Sequence, residues 1–313
     1  MKKAQFNFVW LFALFVGGAI LVFAIFGAMK AGDTMRFQSD TEIAKSISII
    51  TDPMQASFGE GSFGKITFSQ ETRINNICFS GQFGKNDISV ATKSDVGEEW
   101  NLAGGATSIH NKYIFSSEKN TGEEYYVFSK PFDFPYEVSD LIFLTPKDYC
   151  FIGAPGDIAD EIIGLNIPNI KIENCTVADA IKVCFGGGSN CDIEVYGSCS
   201  SGCNSAYDSG TVVKDSVVMN YVGNLMYAAI FSDKLIYDCN VERLMYRTAK
   251  IAEELVSKTD LMDIRGCNTN MKADLIMWRG LTLNADSGGI VSLRTRANEV
   301  ERKNDRELCS VWE

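Results

Sequence analysis

The chain opens on an unbroken apolar stretch. Residues 6–29 (FNFVWLFALFVGGAILVFAIFGAM) carry no charge; Lys2 and Lys3 precede them and Lys30 follows. About 20 apolar residues span a bilayer core, so the length predicts a transmembrane helix. A cleavable signal has a shorter apolar region and a small-residue cleavage site. Gly27-Ala28 matches that site weakly, and the stretch reads as an uncleaved anchor. Ala13 and Gly17 are four apart, as are Ala24 and Ala28, but Gly and Ala are common in any membrane helix. Helical spacing continues beyond: Ile43, Ile47 and Ile50 recur among Thr41, Glu42 and Lys45, and Pro53 is the predicted stop. One long helix is expected, half in the membrane and half emerging as a stalk over 33–53.

The period then changes to that of strands. Lys65-Ile66-Thr67-Phe68-Ser69 and Ile88-Ser89-Val90 alternate polar and apolar, and Tyr125-Tyr126-Val127-Phe128, Leu141-Ile142-Phe143-Leu144 and Tyr149-Cys150-Phe151-Ile152 are apolar runs of strand length. Gly81, Gly84-Lys85-Asn86-Asp87, Gly104-Gly105, Asn120-Thr121-Gly122 and Pro131 supply turns between them. A short helix is predicted over 155–163, since Pro155 suits a first turn and Asp157, Asp160 and Glu161 suit its N-terminal half. Further strands are predicted at 169–172, 180–185, 192–196, 211–213, 217–221 and 225–231. From Cys239 Val241, Leu244, Met245, Thr248, Ala252 and Leu255 share a helical face, with Glu242, Arg243, Lys250 and Glu253 off it. Two more helices are predicted over 271–283 and 290–308. The expected fold is α+β: an N-terminal transmembrane helix, an antiparallel β-rich exterior region and a C-terminal helical cap of three segments. The expected divisions are 1–32, 33–53, 54–238 (with a subdivision near 155 left open) and 239–313.

Composition narrows the function. The formal net charge is -11, and the basic residues are scattered, so a nucleic-acid partner is not expected. Ten cysteines accompany a single histidine, His110. Zinc sites are built mostly from closely spaced Cys and His, usually in C-x2-C pairs, and no such pair occurs. Cys184, Cys191, Cys199 and Cys203 form the densest group, with spacing that suits disulfides in a loop-rich region. If the cap helices run up, down and up, Cys267 and Cys309 meet at one end of the cap. They are then expected to pair, while Cys239 finds a partner in the β region. Charge around the anchor leaves its orientation open, and cysteine usage places the bulk of the chain outside the cell. Asn174-Cys175-Thr176 is an acceptor pattern for N-glycosylation, a triplet frequent by chance.

Candidate chemistry is sparse. His110 lies in a polar turn with no nucleophile motif beside it. Asp157, Asp160 and Glu161 offer clustered oxygens for a cation, but helix-start charges explain them better. Asp133, Glu137 and Asp140 contain a candidate carboxylate pair for glycoside cleavage, with solvated loop charges the plainer reading. Phe128, Phe132, Phe134 and Tyr136 suit a core strand entering a turn better than a ligand platform. Gly186-Gly187-Gly188 lacks the Lys and Ser/Thr of a phosphate loop. The run from Glu301 to Glu307 mixes signs and reads as a solvated helix face. No catalytic residue, cofactor or metal site is assigned.

Lys3-Ala4-Gln5 before an aromatic-rich apolar helix resembles the class III signal of archaeal type IV pilins and archaellins. That family often carries a Glu early in the mature helix; here the region reads Phe6-Asn7-Phe8-Val9-Trp10. The stretches Lys130-Pro131-Phe132-Asp133-Phe134-Pro135, Ile236-Tyr237-Asp238-Cys239-Asn240 and Arg265-Gly266-Cys267-Asn268 resemble archaeal single-pass, membrane-anchored surface proteins. The resemblance implies no particular activity. The favoured class is a membrane-anchored extracellular structural or interaction protein, with the lipid bilayer, other surface proteins or its own copies as partners. A pilin-like filament subunit is the alternative, and a surface hydrolase the third class.

Overall fold

The computed structural model describes residues 8–56, 63–93, 99–173, 175, 177, 179–198 and 205–312. The apolar N-terminal run and the stalk are one helix, α1 (Phe8–Ala56). Its first half has no protein cover: Trp10 is 75% exposed and Phe23 73%. It is long and apolar enough to cross a membrane, with a mean hydropathy of 2.6. Protein packing begins further along, where Asp40, Ala44 and Ile47 are buried. The helix passes Pro53, the predicted stop, and ends at Ala56. A proline removes one helical N–H and crowds the carbonyl four residues back. So close to a helix end, this disturbs one turn without ending the helical path.

Among the described residues, twelve strands form two six-stranded sheets. The first has the order β3-β2-β1-β5-β6-β4: β1 (Phe63–Phe79), β2 (Lys85–Thr92), β3 (Thr107–Ile109), β4 (Tyr113–Phe115), β5 (Lys119–Asp133) and β6 (Glu137–Thr145). The second has the order β12-β11-β10-β9-β7-β8: β7 (Tyr149–Ile152), β8 (Ile170–Ile172), β9 (Ile181–Phe185), β10 (Ile193–Gly197), β11 (Ser209–Lys214) and β12 (Val217–Val222). The expectation of purely antiparallel pairing needs correcting. β4 pairs with β6 in parallel, as β7 does with β8 and β9, and β9 with β10. For β7 and β8 the reason is the helix α2 (Gly156–Leu165), which crosses over between them. A strand–helix–strand crossover returns the chain in the same direction.

A second correction falls at 225–231, read above as a strand. It is the helix α3 (Leu225–Phe231), and all seven of its residues are buried. An apolar run with no polar face shows neither period, so strand and buried helix look alike in sequence. Next come α4 (Lys234–Ile264), which begins ahead of Cys239, α5 (Lys272–Thr282) and α6 (Ile290–Arg306).

Two cores result. Ala44 and Ile47 of α1 pack with Ile74, Ile88, Val90, Tyr125 and Leu144 on one face of the first sheet. The other core runs from Tyr113 and Phe143 through Val195 and Phe231 to Trp278 and Val311, and so joins both sheets to the C-terminal helices. The strand β6 lies between them: Ile142 and Leu144 face one core, Leu141 and Phe143 the other. This explains its continuous apolar run.

Candidate functional site

The β5–β6 hairpin gathers the most concentrated chemistry. Its turn carries a cis Phe134-Pro135 bond, and Asp133 and Glu137 are cross-strand partners at its end. Like charges directly opposed repel. Burial, then the Glu137 charge, holds the Asp133 carboxyl above its ordinary range. Burial, Glu137 and Asp133 do the same to Asp140. The helix α6 adds Glu301, also raised, by burial and by Asp305, Asp133 and Asp208 against a lowering effect of Arg294. Arg294 binds Asp208 through Nε at 2.9 Å and Nη2 at 2.7 Å. Asp133, Asp140 and Glu301 thus hold protons more tightly than isolated carboxylates do, and with Glu137 they form an acidic rim. Among the described residues, no group of three His, Cys, Asp or Glu side chains has the geometry to hold a metal ion.

The aromatics beside this rim belong to the core. Phe128, Phe132, Phe134 and Tyr136 are buried. The Phe134 ring meets the Trp278 ring edge-on at 5.1 Å, and the Tyr136 hydroxyl donates to the Thr248 carbonyl at 2.6 Å. They fasten the hairpin to α4 and α5.

Of the α2 carboxylates, Asp157 and Asp160 are exposed. Glu161 is occupied: Lys130 of β5 donates to one of its oxygens and the Tyr227 hydroxyl of α3 to the other. Burial and the Glu161 charge push the Tyr227 phenol far up. Glu161 is therefore a brace between β5, α2 and α3. His110 is exposed in the turn after β3. Gly186 and Gly187 adopt φ values of 80° and 83° between β9 and β10, in the loop that the Cys184–Cys191 bond closes. Within the charge run, Asn304 is not solvated. It is 1% exposed, accepts from the Val311 N–H at 2.6 Å and donates to the Trp312 carbonyl at 2.9 Å, so it pins the C-terminal segment.

Four disulfides lie among the described residues: Cys78–Cys239, Cys150–Cys175, Cys184–Cys191 and Cys267–Cys309. Cys267 and Cys309 have Cα atoms 5.9 Å apart, and Cys239 finds its partner on β1 with Cα atoms 6.1 Å apart. Cys199, Cys203 and Asn174 lie outside the described residues.

The sequence reading set Arg243 with the solvated charges of α4, yet the side chain is fully buried. Nε donates to the Phe83 carbonyl at 2.8 Å, Nη1 to Asn86 Oδ1 at 2.5 Å and Asn240 Oδ1 at 2.7 Å, and Nη2 to the Lys112 carbonyl at 3.0 Å. Burial pulls its pKa down to about 10. Asn240 and Asn76 both donate to the Ile114 carbonyl. One signal was available: Arg243 lies four positions after Cys239 and three after Asn240, so it neighbours both on the helix.

A shallow groove of about 520 Å³ lies where α2 and β8 meet the start of β1, lined by Phe63, Ile162, Ile167, Ile170 and Lys171 among others. No protein-family model, no curated protein and no solved structure matches this chain. The class that can be stated is therefore structural: an α+β head, disulfide-bonded, on a long N-terminal helix able to cross a membrane.

Proposed function

We propose that the chain is a membrane-anchored extracellular protein with a structural or interaction role. The apolar half of α1 sits in the bilayer and the disulfide-bonded head stands outside the cell. The observation that carries this reading is the continuity of α1. One helix leaves its apolar half bare and buries Ala44 and Ile47 in the head. A rigid connection of this kind holds a head at a set distance from the membrane. The disulfides support an oxidising compartment. Protease treatment of intact cells tests it: the head should be removed, and full protection overturns the reading.

The same continuity favours a second reading, a pilin-like filament subunit, in which further copies cover the apolar half. Intact mass separates the two. Loss of residues 1–4 supports a processed subunit, and retention of Lys2 and Lys3 supports the anchor.

A further inference from the structure

The strand β2 runs along α1 toward the apolar half of the helix. Ile88 and Val90 pack with Ala44 and Ile47. The Gly104 N–H donates to the Val90 carbonyl, the Gly105 N–H to Thr41 Oγ1 at 2.8 Å, and the Thr92 hydroxyl to Asp40 Oδ2 at 3.5 Å. Higher positions on β2 thus meet lower positions on α1. The Lys93–Trp100 bridge, which continues β2, therefore lies at the edge of the head nearest the apolar half. The loop from Trp100 to Gly105 sits directly on the helix, so close that a Cβ at Gly104 would stand 2.6 Å from the Thr41 nitrogen.

This edge is apolar where water would otherwise meet it. Leu102 is 89% exposed, and Met35 and Phe37 of α1 are exposed as well; a Cβ at Gly105, three residues on from Leu102, would stand 4.0 Å from the Phe37 ring. Trp100 is half-buried under the Arg73 guanidinium, 4.8 Å from the ring centroid. Lys30 and Arg36 are exposed on the intervening helix. Of the acidic side chains nearby, Asp40 is buried and accepts from Thr92, Glu71 is bound to Lys93 at 2.6 Å, and Glu42 and Glu99 are exposed.

We propose that this edge, with Leu102 and Trp100 at its tip, rests in the interfacial layer of the bilayer that α1 crosses. Lys30 and Arg36 meet lipid phosphates there. The inference rests on the anchor reading. Phe37 stands about 12 Å beyond Met29 along the helix. The interfacial layer itself occupies about 5–8 Å of that, and a tilt of about 20° brings one side of the head closer. What remains of that distance is narrower than a helix with side chains, about 10–12 Å, so no folded partner fits between this edge and the bilayer. Trp and basic side chains favour this layer.

The test uses the full chain in nanodiscs containing phosphatidylglycerol, with a photo-crosslinking benzophenone side chain placed singly at Val16, Leu102 or Leu308. Leu308 is fully exposed and lies near the disulfide of the cap. Lipid adducts at positions 16 and 102, and none at 308, are expected. Adducts at 16 without any at 102 overturn the inference and leave the anchor standing. Absence at 16 removes both. Protein adducts at 102 between two copies replace lipid with a self-contact and also overturn it.

Discussion

The guanidinium of Arg243 lies over the ring of Tyr113, 4.8 Å from its centroid, and both side chains are fully buried. Its hydrogen-bond partners among the described residues are neutral: two carbonyls and two asparagine amides, with the Cys78 sulfur at 4.0 Å. The cation is held by dipoles and a π face, with burial as the opposing cost. It ties α4 to the tip of the β1–β2 hairpin and to the segment before β4. Arg243→Ala orphans several acceptors and is expected to cost about 3–5 kcal/mol in chemical denaturation. Arg243→Lys is expected to recover little, because an ammonium cannot reproduce the fork. Full rescue by Lys would show that charge alone matters.

How much of this was legible in sequence varies by element. The apolar half of α1 was readable from the length of its uncharged run, and the short helix after Pro155 and the strands with clear alternation because one face of each is exposed. The helix α3 was not, because every face of it is buried. The parallel pairings were not: β4 reaches β6 and β7 reaches β9 across intervening strands, and β10 lies parallel to β9, the strand just before it, where a hairpin would be antiparallel. The acidic residues of the rim were named from sequence, but Glu301 comes to them from α6, more than 160 positions after Asp140. Arg243 was misread because charge ordinarily marks a solvated face.

The disulfides should differ in weight by the loops they close. In the chain-entropy model Cys78–Cys239, with a separation of 161, contributes about 5 kcal/mol, and Cys184–Cys191, with a separation of 7, about 2 kcal/mol. The paired Cys78→Ala/Cys239→Ala variant should therefore melt well below the Cys184→Ala/Cys191→Ala variant. Equal melting temperatures would place the stabilisation elsewhere.

Two carboxylates should respond to pH with opposite sign. Asp133 is raised above its ordinary 3.8 by burial and Glu137. The folded state then binds that proton more tightly. Its stability contribution is greatest below 3.8 and declines as pH rises from there through the raised folded value. Asp133→Asn should raise the melting temperature at about pH 7 and leave it nearly unchanged at about pH 3. For Asp274, burial pushes upward, but hydrogen bonds and charges from Lys303 and Arg296 outweigh it and hold the carboxyl below 3.8. Its contribution is present above 3.8 and is lost as pH falls through the lowered folded value. Asp274→Asn should lower stability at about pH 7, loosening α5 from α6. Melting curves of both variants at the two pH values decide it, and changes of the same sign at neutral pH would refute the assignment.

The attachment of the head to α1 includes one very close approach. At Gly104 an added Cβ would lie 2.6 Å from the Thr41 nitrogen and 2.8 Å from the Asp40 carbonyl carbon. Both are backbone atoms of a continuous helix and cannot swing aside. Gly104→Ala must push the loop off the helix, at a cost of about 1–3 kcal/mol, the usual range for overpacking. The Gly105–Thr41 hydrogen bond lies within the same contact and should weaken with it. The core built around Trp278, Phe231 and Val195 does not include this contact, so the rest of the head should keep its fold. Limited proteolysis reads the difference. In the parent chain, α1 should resist cleavage near Arg36 and Lys45 as long as the head covers its inner face. In Gly104→Ala, cleavage there should accelerate and release a head that still melts cooperatively. Resistance equal to the parent would mean that Ala44 and Ile47 hold the helix without the loop.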